Sequence, residues 1–346
     1  MRAKWYTGSL AGESQMARIS LFLLSIAGLS LVLSPYGSAF QSPYPEEHMT
    51  IAARFARGPA TEIEAAHLRV DTSLVLIPVH VTTRLGISVT DLEKSNFRIS
   101  EDNVEQTITH FSREDAPLSI GLVFDASASM HSKMHKSSEA AAAFFKTANP
   151  EDEFFLVEFN ERPRLVIPFT FDSEELYRHI AHTRTVGRTS LLDAIHMALQ
   201  QMKKASHSRK AIVIVSDGGD NCSRYSVGQI KNALLESDVQ LYAMGIFDFD
   251  DSGRKRPPEE VNGPKLLNEL AELSGGRHYP IDDLNDLPRI SERIGVELRN
   301  QYLLGYSPTN LERDGKYRRI KLNLASPSGM PDLRVQYRQG YFAPAP

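Results

Sequence analysis

The sequence predicts an α/β fold, a doubly wound and mostly parallel sheet accompanied by a small antiparallel β subdomain. Three observations predict it. Between residues 117 and about 300, short apolar runs alternate with helical stretches, the order that a parallel sheet covered by helices on both faces requires. On either side, at 68–111 and 301–341, strand patterns follow one another with no helix between them. Two of the apolar runs also end abruptly in acidic and hydroxyl residues, at Asp125 and Asp217, where open α/β sheets carry ligands.

Within 117–300 the strand candidates are 118–124, 153–159, 164–169, 210–215, 239–245 and 276–279. Helical patterns intervene at 137–147, 173–180, 191–202, 227–236, 264–273 and 284–299. The turn at Glu161-Arg162-Pro163 is short enough to make 153–169 a hairpin, hence one antiparallel edge strand.

In the leading flank, 68–82 is apolar in both registers, as in a strand covered on both faces. Residues 97–100 and 106–111 read as two more strands around a turn at Glu101-Asp102-Asn103. In the trailing flank, 301–306, 317–324 and 333–341 read as strands, with turns at Asp314-Gly315 and Ser328-Gly329. Neither set buries its faces alone. The expectation is one β subdomain assembled from 68–116 and 301–343, with the α/β domain of 117–300 inserted between its two parts. The last helix, 284–299, then leads straight into 301–306. A shift of that helix would pull on the β subdomain; the favoured expectation is a helix clamped at both ends.

The chain has 346 residues, enough for a substantial core, and carries 39 Lys+Arg against 43 Asp+Glu for a net charge of −4. That balance argues against a general nucleic-acid-binding protein. Cys222 is the single cysteine, which excludes an intramolecular disulfide and a cysteine-based zinc site. At the N-terminus, Arg2, Lys4 and Arg18 precede an uncharged apolar stretch at 19–33, followed by Pro35 and by the small residues Gly37-Ser38-Ala39. Residues 1–39 therefore read as a secretory signal, with Met16 as an alternative start and an uncleaved anchor as the alternative outcome. Residues 40–67, rich in Pro, Glu and Ala, read as a partly disordered linker. An exported protein follows, placed in the periplasm, cell envelope or extracellular space, with the membrane involved only through such an anchor.

The strand ends carry the chemistry. Asp125, Ser127 and Ser129 form an Asp-x-Ser-x-Ser pattern directly after 118–124, and Ser216-Asp217-Gly218-Gly219 follows 210–215. Between them, the loop 186–190 offers the hydroxyl of Thr189 just before a helix. Carboxylates and hydroxyls are hard oxygen donors, suited to Mg²⁺, Mn²⁺ or Ca²⁺ and not to zinc or copper. This set, in this order, resembles the Rossmann-like von Willebrand factor type A (vWA) domain and its metal-ion-dependent adhesion site. The resemblance implies a metal held by Asp125, Ser127, Ser129, Thr189 and Asp217. The hydroxyls would touch the ion, the aspartates would hold it largely through water, and a partner's carboxylate would fill the open position. Ala128 and Arg188 stand where many members have glycine; neither removes a donor. Over 68–343 the flanks also resemble an exported bacterial vWA-related family. Phe97-Arg98-Ile99-Ser100-Glu101-Asp102-Asn103, Tyr302-Leu303-Leu304-Gly305-Tyr306 and Arg338-Gln339-Gly340-Tyr341-Phe342 carry that likeness.

Other patterns carry less. Asp248, Asp250, Ser252, Gly253 and Glu259 fit a calcium-loop spacing, but Arg254, Lys255, Arg256, Pro257 and Pro258 interrupt it. His131 and His135 lack the Glu of a His-Glu-x-x-His motif and read as rim residues, with Asp220 and Asn221 beside them. No Gly-x-Ser-x-Gly elbow and no phosphate loop is present. The expectation is a non-enzymatic exported module that uses Mg²⁺, Mn²⁺ or Ca²⁺ to engage a protein partner presenting an acidic residue. The alternative is an envelope scaffold in which the metal only rigidifies the loops.

Overall fold

In the computed structural model the chain divides into two compact units, Met1–His67 and Leu68–Pro346. The structure describes residues 74–345 of the second, apart from 114, 248–257 and 326–331. The leader and linker readings at 1–67 lie outside the described residues, as does the body of the calcium-loop pattern at 248–257. Among the described residues no helix is long and apolar enough to cross a membrane.

The α/β part is built on a six-stranded sheet in the order β10-β9-β8-β5-β6-β7. Its strands are β5 (Leu118–Asp125), β6 (Glu153–Phe159), β7 (Pro163–Thr170), β8 (Arg209–Ser216), β9 (Val239–Ile246) and β10 (His278–Ile281). All neighbours pair in parallel except β6 and β7, the hairpin at the edge. β5 is buried along its whole length, and its residues alternate between two cores. Leu118, Ile120, Leu122 and Phe124 point to the face covered by α1 (Met134–Phe145), α2 (Ser173–Ile180) and α6 (Leu287–Arg299). Val123 points to the face covered by α3 (Leu191–Met202), α4 (Val227–Glu236) and α5 (Pro258–Ser274). Gly121 leaves room on that second face for the ring of Phe155, which a Cβ would meet at 2.2 Å.

The flanks form two further sheets of four strands each. One has the order β13-β1-β11-β4, from β1 (Val75–Thr83), β4 (Ile108–Ser112), β11 (Tyr302–Tyr306) and β13 (Leu333–Gln336). The other has the order β14-β12-β2-β3, from β2 (Phe97–Glu101), β3 (Val104–Gln106), β12 (Tyr317–Leu324) and β14 (Gly340–Phe342). Val79, Tyr302 and Leu304 of the first share one core with Phe97, Ile99 and Ile320 of the second, so the flanks make a sandwich of two sheets. Two segments expected as single strands are each divided between the sheets. Residues 106–111 break at Thr107, β3 pairing with β2 and β4 with β11. Residues 333–341 break after Gln336, β13 pairing with β1 and β14 with β12. A chain crossing from sheet to sheet at a corner keeps its apolar alternation, which is why the sequence reads as continuous.

Three helices also begin elsewhere than expected, the first being α1, which starts at Met134 and not at residue 137. Pro264, read as the opening of a helix, stands inside α5, which starts at Pro258. The last helical pattern opens with a 3₁₀ turn, Leu284–Asp286, before α6.

The strands entering and leaving the α/β part, β4 and β11, are antiparallel neighbours, with Ser112 opposite Leu303. α6, which feeds β11, is held from several directions. Ser291 donates to Ala140 O at 2.6 Å, and Arg299 pairs with Asp152 and with Asp115. Glu297, 1% exposed, accepts from Arg277 at 3.0 Å and from Arg293 at 3.2 Å, with His80 of β1 3.6 Å away.

Candidate metal centre

The centre lies at the carboxyl ends of β5 and β8, adjacent parallel strands with Phe124 opposite Val215. Asp125 closes β5 and is completely buried. Its Oδ1 accepts from the Ser127 N–H at 2.9 Å, folding the loop back over the strand end. Its Oδ2 accepts from the Ser216 hydroxyl at 2.5 Å. Ser127 and Ser129 bring their hydroxyl oxygens to 3.0 Å of each other at the start of a 3₁₀ turn, Ala128–Lys133. Ala128 fits the loop without left-handed backbone, since among the described residues the positive-φ non-glycine residues are Asp102 and Asn103. The glycine freedom that the family pattern suggests is not needed here.

Asp217, 6% exposed, follows β8. Its Oδ1 accepts from Gly219 N at 3.3 Å, and its Oδ2 is 3.6 Å from the Lys133 ammonium. Gly218 has φ +77°, and an added Cβ would meet the Gly263 backbone at 2.9 Å, so α5 presses directly on this loop.

Thr189, 5% exposed, is positioned by the neighbouring loops. Asn221 accepts from Thr189 N at 3.0 Å through its side chain, and its own N–H donates to Thr189 O at 3.0 Å. Gly187 O accepts from Ala128 N at 3.1 Å, stitching the threonine loop to the serine loop. Ser190 makes no side-chain cap on α3; Asp220 Oδ1 accepts from Leu192 N at 3.3 Å instead, so one loop caps the helix that follows another. Asp220, expected at the rim, has this supporting role, while Asn221 is exposed and buttresses Thr189.

The electrostatics fit a cation. Burial, and after it the charge of Asp217, holds the Asp125 carboxyl well above the usual carboxylate range, against hydrogen bonds from Ser127 and Ser216 that lower it. Two close carboxylates with hydroxyl oxygens beside them are a hard donor set, and among the described residues the ammonium of Lys133 is the positive charge that pairs with it. Among the described residues no group of three or more His, Cys, Asp or Glu converges. His131 instead hydrogen-bonds Thr185 at 3.0 Å, and His135 lies 3.4 Å from Glu139 on α1. Of the groups at the centre, Ser216 and Lys133 carried no signal of their own. Ser216 is a strand residue within the Ser-Asp-Gly run, and a lone lysine reads as surface.

A doubly wound sheet with one antiparallel edge and an Asp-x-Ser-x-Ser strand end is the frame of a von Willebrand factor type A domain. Residues 120–219 match the family model of that domain, and the chain contains one. An uncharacterized protein of Borreliella burgdorferi is 26% identical over 47% of this chain and 54% of its own length. Inter-alpha-trypsin inhibitor heavy chain H2 of Mesocricetus auratus is 28% identical over 42% of this chain and 17% of its own. The chain thus spans about half the length of the first relative and a small part of the second. A solved von Willebrand factor type A structure from Catenulispora acidiphila aligns with TM-score 0.46 and 12% identity, over 80% of this chain and 75% of that one.

Proposed function

We propose that this domain binds a divalent cation of the Mg²⁺ class through Asp125, Ser127, Ser129, Thr189 and Asp217, and uses it to engage a carboxylate on a protein partner. The vWA domain is a protein-interaction module, and the coarse function follows from its presence. The observation that carries the finer reading is the cross-strand pair. Two buried carboxylates, Asp125 and Asp217, stand at adjacent strand ends beside paired serine hydroxyls, an arrangement that repels itself without a cation.

Each residue has a task. The Ser127 N–H and the Ser216 hydroxyl orient the Asp125 carboxylate. The serine pair and Thr189 supply neutral oxygens, and Asn221 fixes the threonine. When bound, the cation supplies a Lewis-acidic position that a partner's carboxylate fills. At the centre the Ser127 and Ser129 hydroxyls pair with each other and not with a histidine, which supports a binding role over a hydrolytic one there.

The uncharged apolar run at 19–33 after basic residues supports export, to the periplasm, cell envelope or extracellular space. Mass spectrometry of the native protein should then find a mature N-terminus near Phe40; recovery of the intact chain in the cytosol contradicts export. Affinity capture from envelope extract, with Mg²⁺ and with EDTA, tests the binding role. Capture lost in EDTA supports the metal bridge, and capture unchanged in EDTA supports a scaffold whose contacts lie elsewhere.

A further inference from the structure

Lys133 ends the 3₁₀ turn that carries Ser129, yet its side chain is only 5% exposed. Lysine is almost never buried to that degree without a partner. The ammonium donates to the Ile246 carbonyl at 3.4 Å, at the end of β9, and stands 3.6 Å from Asp217 Oδ2. It reaches from the serine loop beneath the centre to the ends of β8 and β9 and links three of the segments that surround it. Met130 on the same turn is completely buried and Ile246 is 1% exposed, so the ammonium lies where its charge acts through little water.

We infer that Lys133 is a resident counter-cation of the centre: it neutralises Asp217 in the metal-free protein, keeps the strand-end loops folded, and lowers the affinity for the divalent ion by opposing it. This rests on the divalent-cation reading above. Without a metal, Asp125 and Asp217 repel across adjacent strand ends, and the buried Lys133 ammonium beside Asp217 offsets that repulsion. With a metal, the same ammonium and the ion face one carboxylate, and like charges at short range in a poorly solvated place oppose each other. A protein so arranged stays folded when the ion leaves, and it takes up the ion reversibly.

The test compares the full chain with Lys133→Met, which keeps the apolar stem and removes the charge. MgCl₂ and MnCl₂ are titrated calorimetrically, and thermal unfolding is followed in EDTA and in saturating Mg²⁺. Lys133→Met should bind Mg²⁺ about tenfold tighter, a change of ~1.4 kcal/mol. It should melt below the native protein in EDTA and close that gap in Mg²⁺, because a ligand stabilises the state it binds. Lys133→Met combined with Asp217→Asn should recover metal-free stability, since the lost charge then has no partner to leave exposed.

Equal or weaker Mg²⁺ binding by Lys133→Met, or a melting gap that Mg²⁺ leaves unchanged, overturns the role of Lys133 while the metal centre stands. No binding by either protein removes the divalent-cation reading and this one with it. If Lys133→Met does not fold, the double variant decides: failure to restore metal-free stability contradicts the counter-charge role.

Discussion

The Ser216 hydroxyl donates to Asp125 Oδ2 at 2.5 Å, tying the end of β8 to the end of β5 across the two strands that carry the carboxylates of the centre. The same hydroxyl accepts from Gly218 N at 3.0 Å, so one serine fixes both the aspartate and the loop that follows Asp217. Ser216→Ala should therefore lower stability by about 1–3 kcal/mol, the cost of leaving a buried acceptor unpaired, and weaken Mg²⁺ binding several-fold. Urea unfolding and calorimetry on the same preparation measure both. An unchanged unfolding midpoint would mean that Asp125 finds another donor.

Gly218 and Gly228 make a matched pair. At Gly218 the backbone is left-handed, φ +77°, and a Cβ would press on Gly263 of α5, whereas at Gly228 in α4 a Cβ meets nothing within 4 Å. Gly218→Ala should cost at least ~1–2 kcal/mol from backbone strain alone. Gly228→Ala should stabilise by about 0.5–1 kcal/mol, because it removes glycine from a helix. Melting temperatures that move in the same direction for the two variants would contradict this.

The order of elements in the α/β part was legible because each level of pattern agreed with the next. α2 and α4 begin and end at the residues expected, since Asp172 and Ser226 cap them from the preceding position. The candidate centre was legible for the same reason: Asp125, the serines and Asp217 close or follow strands, Thr189 precedes a helix, and such ends are sharp in sequence. What the sequence hid is tertiary. Alternation persists through a sheet-to-sheet corner, so the divisions at Thr107 and after Gln336 left no mark. Pro264 looks like a helix start and stands within α5. Lys133 is eight positions past Asp125, and only the packed fold returns its ammonium to Asp217.

Asp152 is completely buried and accepts from Leu118 N at 2.9 Å and Asn149 N at 2.8 Å while pairing with Arg299. It joins the start of β5 to the end of α6. Asp152→Ala should cost about 3–5 kcal/mol, because it leaves two buried N–H groups without their acceptor and takes from the Arg299 guanidinium its buried carboxylate, with Asp115 and the Thr147 carbonyl as its remaining partners. Chemical denaturation decides, and a loss below ~1 kcal/mol would show that α6 is not held there.

His80 and His278 set a pH dependence. Burial lowers His80 from 6.5 to about 4, with Arg277 and Arg293 adding to the effect and Glu297 opposing it, and burial lowers His278 from 6.5 to about 4. In the unfolded chain both take up a proton near pH 6.5, while the folded protein resists until about pH 4. Between those values the unfolded state binds more protons, so stability present above pH 6.5 is lost as the pH falls towards 4. For His80, 1% exposed, the loss is of the order of 3 kcal/mol. Unfolding midpoints from pH 7.5 to 4 should fall in the native protein and fall less in His80→Gln; parallel curves would contradict the assignment.

The central claim is that Asp125 and Asp217 hold a divalent cation at the top of the sheet. Calorimetric titration of Mg²⁺ and Mn²⁺ into the native protein, Asp125→Ala and Asp217→Ala tests it most directly, with circular dichroism to verify that each variant is folded. One ion per chain should bind to the native protein and none to either folded variant. Equal binding by all three would contradict the claim.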